Sequence, residues 1–384
     1  MLMLFSMVGG GLLTVILFII LLSVLVLIHE FGHFIVAKRL GIKVEEFGFG
    51  FPPRAIGKKW GETIYSINWL PFGGFVKLYG EDEAGAGRIT LSSKNTIKAK
   101  DSDRAFYSRP TWQKASVVIA GVIMNYLLAL GIFSYLAAAQ GVIQAGNVIT
   151  VAQVEKNSPA DTAGIKPSDK IIAIDGEKIS SADMLISLVK QHAGSPVKVS
   201  VETVNRQLNT VTLIPRTKVS KNQGAMGVAL TSNAKLVKYS GFGAIKEGFV
   251  QTGTLTVLTL SGLKTAVGQA LNKQFPQGVA GPFGIVRLTG VAEQYGFYAV
   301  LSLVGILSLT LALFNIFPIP ALDGGRLFFI LLDGIAYLLF KKNISPRIEA
   351  VINPIAFALL IALIILITFH DIYSWATGQP LIPQ

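Results

Sequence analysis

The chain contains no cysteine, which excludes disulfide frameworks and thiolate metal ligands. It is also poor in charge: Asp, Glu, Lys and Arg make up 15% of its 384 residues, and there are only four histidines. Set against 51% apolar residues, so little charge is not the balance of a water-soluble chain. The apolar residues gather in long runs with the charges between them, as in a polytopic membrane protein. Acids are scarcer than bases, 22 against 34, for a formal charge of +12. A nucleic-acid partner would call for basic residues interleaved with aromatics on a soluble module. Here they flank the apolar runs, which fits a positive-inside bias and contact with the lipid bilayer, so no nucleic acid is expected. The first apolar run has no basic region before it and no small-residue cleavage site after it, and it reads as a retained membrane helix.

Four runs are long enough to span as helices, at residues 11–37, 112–139, 298–317 and 351–369. Each approaches or exceeds the ~20 apolar residues needed to cross about 30 Å of hydrocarbon. The expected organisation is helix 1 over residues 1–38, a strand-and-loop region at 39–111, helix 2 at 112–140 and a soluble module at 141–230. After it come an interfacial or re-entrant segment at 231–296, helix 3 with a following packed helix at 297–340, and helix 4 with a tail at 341–384. Alternation in Glu62-Thr-Ile-Tyr-Ser-Ile-Asn-Trp69 predicts strands and hairpins, and the small, polar stretch 81–103 predicts a loop. In the module, Ile171-Ile-Ala-Ile174 runs into an Asp175-Gly176 turn, and a helix is expected over 180–190 behind a Ser181 cap. The basic loops, one after helix 1 and one holding Lys341, Lys342 and Arg347, should face the cytoplasm. Both termini and the module then fall on the other side.

His29-Glu30-Phe31-Gly32-His33 sits in the inner part of the first span. Histidines at i and i+4 share a helical face, with Cβ atoms about 5–6 Å apart, so two imidazoles can meet one zinc ion. Glu30, one residue round, is placed to take a proton from the attacking water without being a ligand. Ionisable groups in a lipid-spanning helix are costly and mark function by default. A hydrolytic zinc needs a third protein ligand. His192 belongs to the soluble module and His370 ends the last span at the opposite face, so the third should be a carboxylate. The best placed is Asp323 in Asn315-Ile-Phe-Pro-Ile-Pro-Ala-Leu-Asp323-Gly-Gly325, unless it is a helix cap beside a glycine turn. Topology favours it as ligand: if 231–296 does not cross, the third span runs inward and delivers Asp323 to the depth of the histidines.

His29 to His33, Gly121-Val-Ile-Met-Asn125, Gly281-Pro-Phe-Gly-Ile285 and the 315–325 motif, in this order, resemble the site-2 protease family of intramembrane zinc metalloproteases. The likeness covers nearly the whole chain and is nearest the bacterial regulator-of-sigma-E branch. It implies a zinc metalloendopeptidase of the bacterial inner (plasma) membrane, acting in regulated intramembrane proteolysis on single-span proteins such as trimmed anti-sigma factors or remnant signal peptides. It makes His29, His33 and Asp323 the Zn2+ ligands, Glu30 the general base, and Asn315 a contact for the substrate main chain. Asn125 would help shape the substrate cleft, or serve in helix-to-helix hydrogen bonding. The region of Pro71-Phe-Gly-Gly74 resembles the family's membrane-associated hairpin. Ser158-Pro-Ala160, Ala163-Gly-Ile165 and Asp175-Gly176 resemble PDZ sequences, with room for one module where tandem pairs also occur in the family. Such a module could bind a peptide or free C-terminus by strand addition, or only cap the protein against bulky ectodomains. The fold class expected is thus a polytopic α-helical membrane protein of about four transmembrane helices, with a membrane-associated β-hairpin region and one inserted PDZ-like α+β domain. The rival reading is a noncatalytic zinc-binding scaffold recruiting partners through that module.

Overall fold

The computed structural model of the protein describes residues 11–81, 103–218, 224–272, 274–276, 278–341 and 346–378. Most of the loop expected over 81–103 lies outside the described residues. In chain order, α1 (Gly11–Arg39) leads into β1 (Val44–Trp60), β2 (Thr63–Leu78), a short 3-10 turn (Phe106–Ser108) and α2 (Thr111–Ala139). Then come β3 (Val142–Val154), α3 (Pro159–Thr162), β4 (Lys170–Ile174), β5 (Glu177–Lys178), α4 (Ala182–Gln191), β6 (Val197–Glu202), β7 (Leu208–Leu213) and β8 (Val228–Val237). The chain closes with α5 (Phe242–Leu271), α6 (Pro282–Gln294), α7 (Phe297–Ile316), α8 (Asp323–Phe340) and α9 (Pro346–Ala376). It divides into two compact units, Ala139–Tyr239 and the combination of Met1–Ala138 with Ser240–Gln384.

In the helical unit, four helices among the described residues are long and apolar enough to cross a membrane: Gly11–Arg39, Thr111–Ala139, Phe297–Ile316 and Val351–Ala376. These are the four runs expected. A helix satisfies its own backbone hydrogen bonds, which lipid cannot do for it. Helices α1 and α2 run antiparallel, since Gly32 rests on Ala120 while His29 meets Asn125 and His33 meets Val117. A methyl at Gly32 would sit 2.7 Å from Met124 Cγ, so only glycine allows this approach.

Residues 231–296 differ from expectation. Residues 231–237 belong to β8, which continues past the 230 boundary because its alternating Lys235-Leu236-Val237 end pairs with Val142–Gln144 of β3. Helix α5 is a single unbroken 30-residue helix. Gly248 of α5 packs on Ser134, near the C-terminal end of α2. Four residues beyond Leu271, Phe275 stacks on His370 near the C-terminal end of α9, with ring centroids 3.5 Å apart. Helix α6 lies at the same end, its first turn held by Asp371 of α9 and its Glu293 bonded to Thr14 of α1 at 2.8 Å. Helices α5 and α6 therefore start and finish at one end of the bundle, and α7 is free to run toward the other.

Strands β1 and β2 pair antiparallel in a sheet folded over on itself. Residues 46–49 of β1 lie between two runs of β2, Ile64 to Ile67 on one side and Gly74 to Lys77 on the other. The second run lies against α1, where Ser23 Oγ donates to Pro71 O at 2.8 Å and accepts from Gly73 N at 3.3 Å.

The other unit is a sheet in the order β7-β6-β4-β3-β8, with β5 off β4. Alternation in Val197, Val199 and Val201 turns three valines to one buried face, where they meet Ile149, Val151, Ile171 and Ile174. Leu185 and Val189, one turn apart on α4, cover that face. Ser181 caps α4 by accepting from Met184 N at 3.1 Å. The Asp175-Gly176 turn takes positive φ at both residues, 48° and 86°, as a tight hairpin requires.

Candidate metal centre

Three donor side chains from two distant parts of the chain converge in the helical unit: donor atoms of His29, His33 and Asp323 lie within 4.8 Å of one another. His29 Nε2 is 2.7 Å and His33 Nε2 3.3 Å from the same Asp323 oxygen. The histidines share one face of α1, and their rings meet edge to face at 4.8 Å. Asp323 arrives because α7 runs to this end and the chain doubles back immediately after it. That reversal explains the paired glycines. A Cβ on Gly324 would overlap the carbonyls at Ile316 and Phe317, and one on Gly325 would come within 2.7 Å of Pro320 Cα. Asp323 is the first residue of α8 while Leu322 holds the cap position, so the helix-cap alternative for Asp323 does not apply.

Helix α2 supplies the surroundings of both rings through one stripe at i, i+4 and i+8. His33 Nδ1 donates to Val117 O at 2.7 Å. Gly121 leaves room for the imidazoles: a methyl there would lie 2.7 Å from His29 Cε1 and overlap His33 Nε2. The Asn125 side-chain nitrogen lies 3.3 Å from His29 Nδ1. Both rings thus engage α2 through Nδ1 and turn Nε2 to the carboxylate. With Nδ1 of His33 committed to a carbonyl, its Nε2 carries the free lone pair a metal needs. Two imidazoles and one carboxylate form a donor set suited to hydrolytic zinc. The histidine side chains are 8% and 9% exposed and Asp323 24%, so the open approach lies on the aspartate side.

Glu30 stands beside this cluster on α1, and one carboxylate oxygen accepts from Val76 N at 3.2 Å. Asn315 is half-buried near the end of α7, and its side chain makes no hydrogen bond among the described residues. His192 ends α4, its Nδ1 donating to Leu188 O at 2.8 Å, and His370 lies at the far end of α9, so neither joins the centre. Sequence reasoning missed Val117 and Val76, whose contributions are backbone atoms that no side-chain pattern reports. Gly121 carried a signal, since it stands four residues before a buried asparagine in an apolar helix.

The sequence profile of peptidase family M50 matches residues 17–363. A Clostridium perfringens protein named as an inferred zinc metalloprotease is 37% identical over 353 residues, covering 91% of this chain and 96% of its own. One of the same kind from Agrobacterium fabrum is 31% identical, covering 93% and 95%. Zinc metalloprotease RasP of Geobacillus kaustophilus is 29% identical over 429 residues, covering 94% and 98%. Among solved structures, the PDZ domain of an SdrC-like protein from Listeria monocytogenes is similar to 23% of this chain and 93% of its own. Its 20% identity and TM-score of 0.20 are too low to assign a fold.

Proposed function

The chain belongs to peptidase family M50, the site-2 protease family, and from this premise we propose that it cleaves single-span membrane proteins within or at the edge of the bilayer. It is a zinc metalloprotease by family. In this reading His29, His33 and Asp323 hold the zinc and Glu30 is the general base. The observation that carries it is the convergence of these three donors within 4.8 Å, beside Glu30, where α1 and α7 approach their ends.

Bound zinc supplies Lewis-acid polarisation of the scissile carbonyl and of the attacking water. Glu30 takes the proton that the water loses as its oxygen bonds the carbonyl carbon. As the C–N bond breaks, the same carboxylate passes the proton to the departing amine. Asp323 and the two Nε2 atoms are held by α8 and by the α2 stripe, so the donors need little reorganisation. A substrate helix must unwind to expose a peptide bond. The run Gly74 to Lys77 of β2 offers it an edge, paired with β1 on one side only, and Val76 N–H on the other side already points at Glu30. Asn315 then contacts the substrate main chain.

In the small unit, a groove of about 300 Å³ lies between α4 and the edge strand β8, lined by Leu185, Ile186, Val189, Met226, Val228 and Leu230. It supports a PDZ-like module that takes an extended peptide or a freed C-terminus. The lysine-rich loops support an orientation with this module on the non-cytoplasmic side of the bacterial plasma membrane. Trimmed anti-sigma factors and remnant signal peptides fit such a site as substrates.

The test is Glu30→Gln in purified protein with a reporter transmembrane peptide. Cleavage should vanish while zinc content stays at the wild-type level, and chelation should silence the wild type reversibly. Full activity in the variant refutes the role of Glu30.

A further inference from the structure

Asn125 has no exposed surface, and its backbone carbonyl is taken by Ser308 Oγ at 2.8 Å. Its side-chain nitrogen lies 3.3 Å from His29 Nδ1, while its side-chain oxygen is buried with no hydrogen-bond partner among the described residues. With that oxygen unbonded among the described residues, only the contact with the ring sets which end of the carboxamide faces His29. The two ends of a carboxamide are nearly equal in size, and a half-turn exchanges them without repacking α1 against α2.

We propose that Asn125 is a positioning residue for the metal: with zinc bound, its side-chain oxygen accepts from His29 Nδ1–H and holds Nε2 toward the ion. The proposal rests on the reading of His29 as a ligand. Its chemistry separates the two histidines. Val117 O can only accept, so His33 always carries its proton on Nδ1. His29 has a partner that answers both tautomers. When Nε2 donates to Asp323, Nδ1 is bare and takes the amide N–H. When Nε2 gives its lone pair to an ion, Nδ1 carries the proton and needs the amide oxygen. A carboxylate or carbonyl at this position could serve only the second state. The proposal also replaces the expected place of Asn125 in the substrate cleft: on the stripe Val117, Gly121, Asn125 it lies behind the ring, away from Asp323.

The experiment measures zinc affinity of the purified full-length protein by competition with a chromophoric chelator, alongside KM for a reporter peptide. Asn125→Leu and the smaller Asn125→Ala should weaken zinc binding by roughly 10- to 100-fold, the usual cost of losing a partner behind a ligating histidine. Asn125→Asp keeps an acceptor for Nδ1–H and should hold zinc as tightly as the wild type. Wild-type zinc affinity in the Leu or Ala variant overturns the proposal, most plainly if KM rises instead, as a substrate contact requires. His29→Ala is the control: if it too keeps wild-type affinity, the ligand assignment fails and the proposal falls with it, a result distinct from failure at Asn125 alone.

Discussion

Both units bury large apolar side chains, such as Leu25, Ile42 and Phe106 in the helical one, but they differ in what accompanies them. In the sheet unit the fully buried side chains are large and aliphatic, among them Ile149, Ile171, Ile174 and Val197. In the helical unit many buried positions are small or polar, including Thr14, Ser23, Gly32, Asn125, Thr252, Thr289 and Ser308, while Leu12, Ile365 and Phe369 are more than 60% exposed. No side chain from Val351 to His370 of α9 is fully buried. The first pattern is that of a domain folded by expelling water from apolar surface. In lipid that force is absent between helices, and packing relies on close backbone approach through small residues and on hydrogen bonds. One chain obeys two solvents, and its chemistry sits where lipid rules force polar groups to find each other.

The strongest way to break this contrast is at Gly121, where small size should matter more than apolarity. Gly121→Ala pushes a methyl into both imidazoles. It should lower peptide cleavage by about 100-fold or more, since ~1 Å of misplacement at a reacting centre has that effect. Assaying cleavage and bound zinc together checks this; near wild-type values for both would show that the glycine is not needed for space. Next, Ile171→Ala in the sheet unit should destabilise that unit by about 2–5 kcal/mol. Ile365→Ala, 63% exposed on α9, should stay within ~0.5 kcal/mol. Urea unfolding in nanodiscs, followed by hydrogen exchange in each unit, measures both, and equal losses would erase the distinction. Ser181→Ala removes the cap of α4 and should cost the sheet unit about 1 kcal/mol, read from the same curves.

The smallest effect concerns charge in water. Burial raises the Glu62 carboxyl, but hydrogen bonds from Lys38 and Arg104 at 2.8 Å outweigh it and hold the group below its ordinary value. A depressed carboxylate contributes stability that is fully present above the unfolded value and is lost as pH falls through the folded one. Glu62 is partly exposed, so the contribution should stay under ~1 kcal/mol. Protection factors at the β1–β2 turn, taken relative to intrinsic amide exchange at each pH, should fall as pH drops through the carboxylate range, and Glu62→Gln should flatten that dependence.

Much of this was legible in the sequence. The four apolar runs declare themselves by length, and the helix behind Ser181 by its cap and spacing. His29, Glu30 and His33 are a local pattern, fixed by helical periodicity. Asp323 needed one step more, the expectation that 231–296 does not cross. The unbroken length of α5 and the extra residues of β8 were not legible, because each depends on a neighbour: α5 on Ser134 beneath Gly248, and β8 on the pairing partners in β3.

By itself the sequence determined which donors are present and where along its own helix or motif each stands, because helix rise and apolar length are local properties. Only the tertiary structure decided which nitrogen of each ring faces Asp323. That choice belongs to Val117 and Asn125, 84 and 96 residues further along the chain. One of them acts through a main-chain oxygen that every residue possesses, so nothing in its side chain announces the role. A proton on an imidazole goes where the surrounding donors and acceptors direct it, and those are assembled only when α1 and α2 pack.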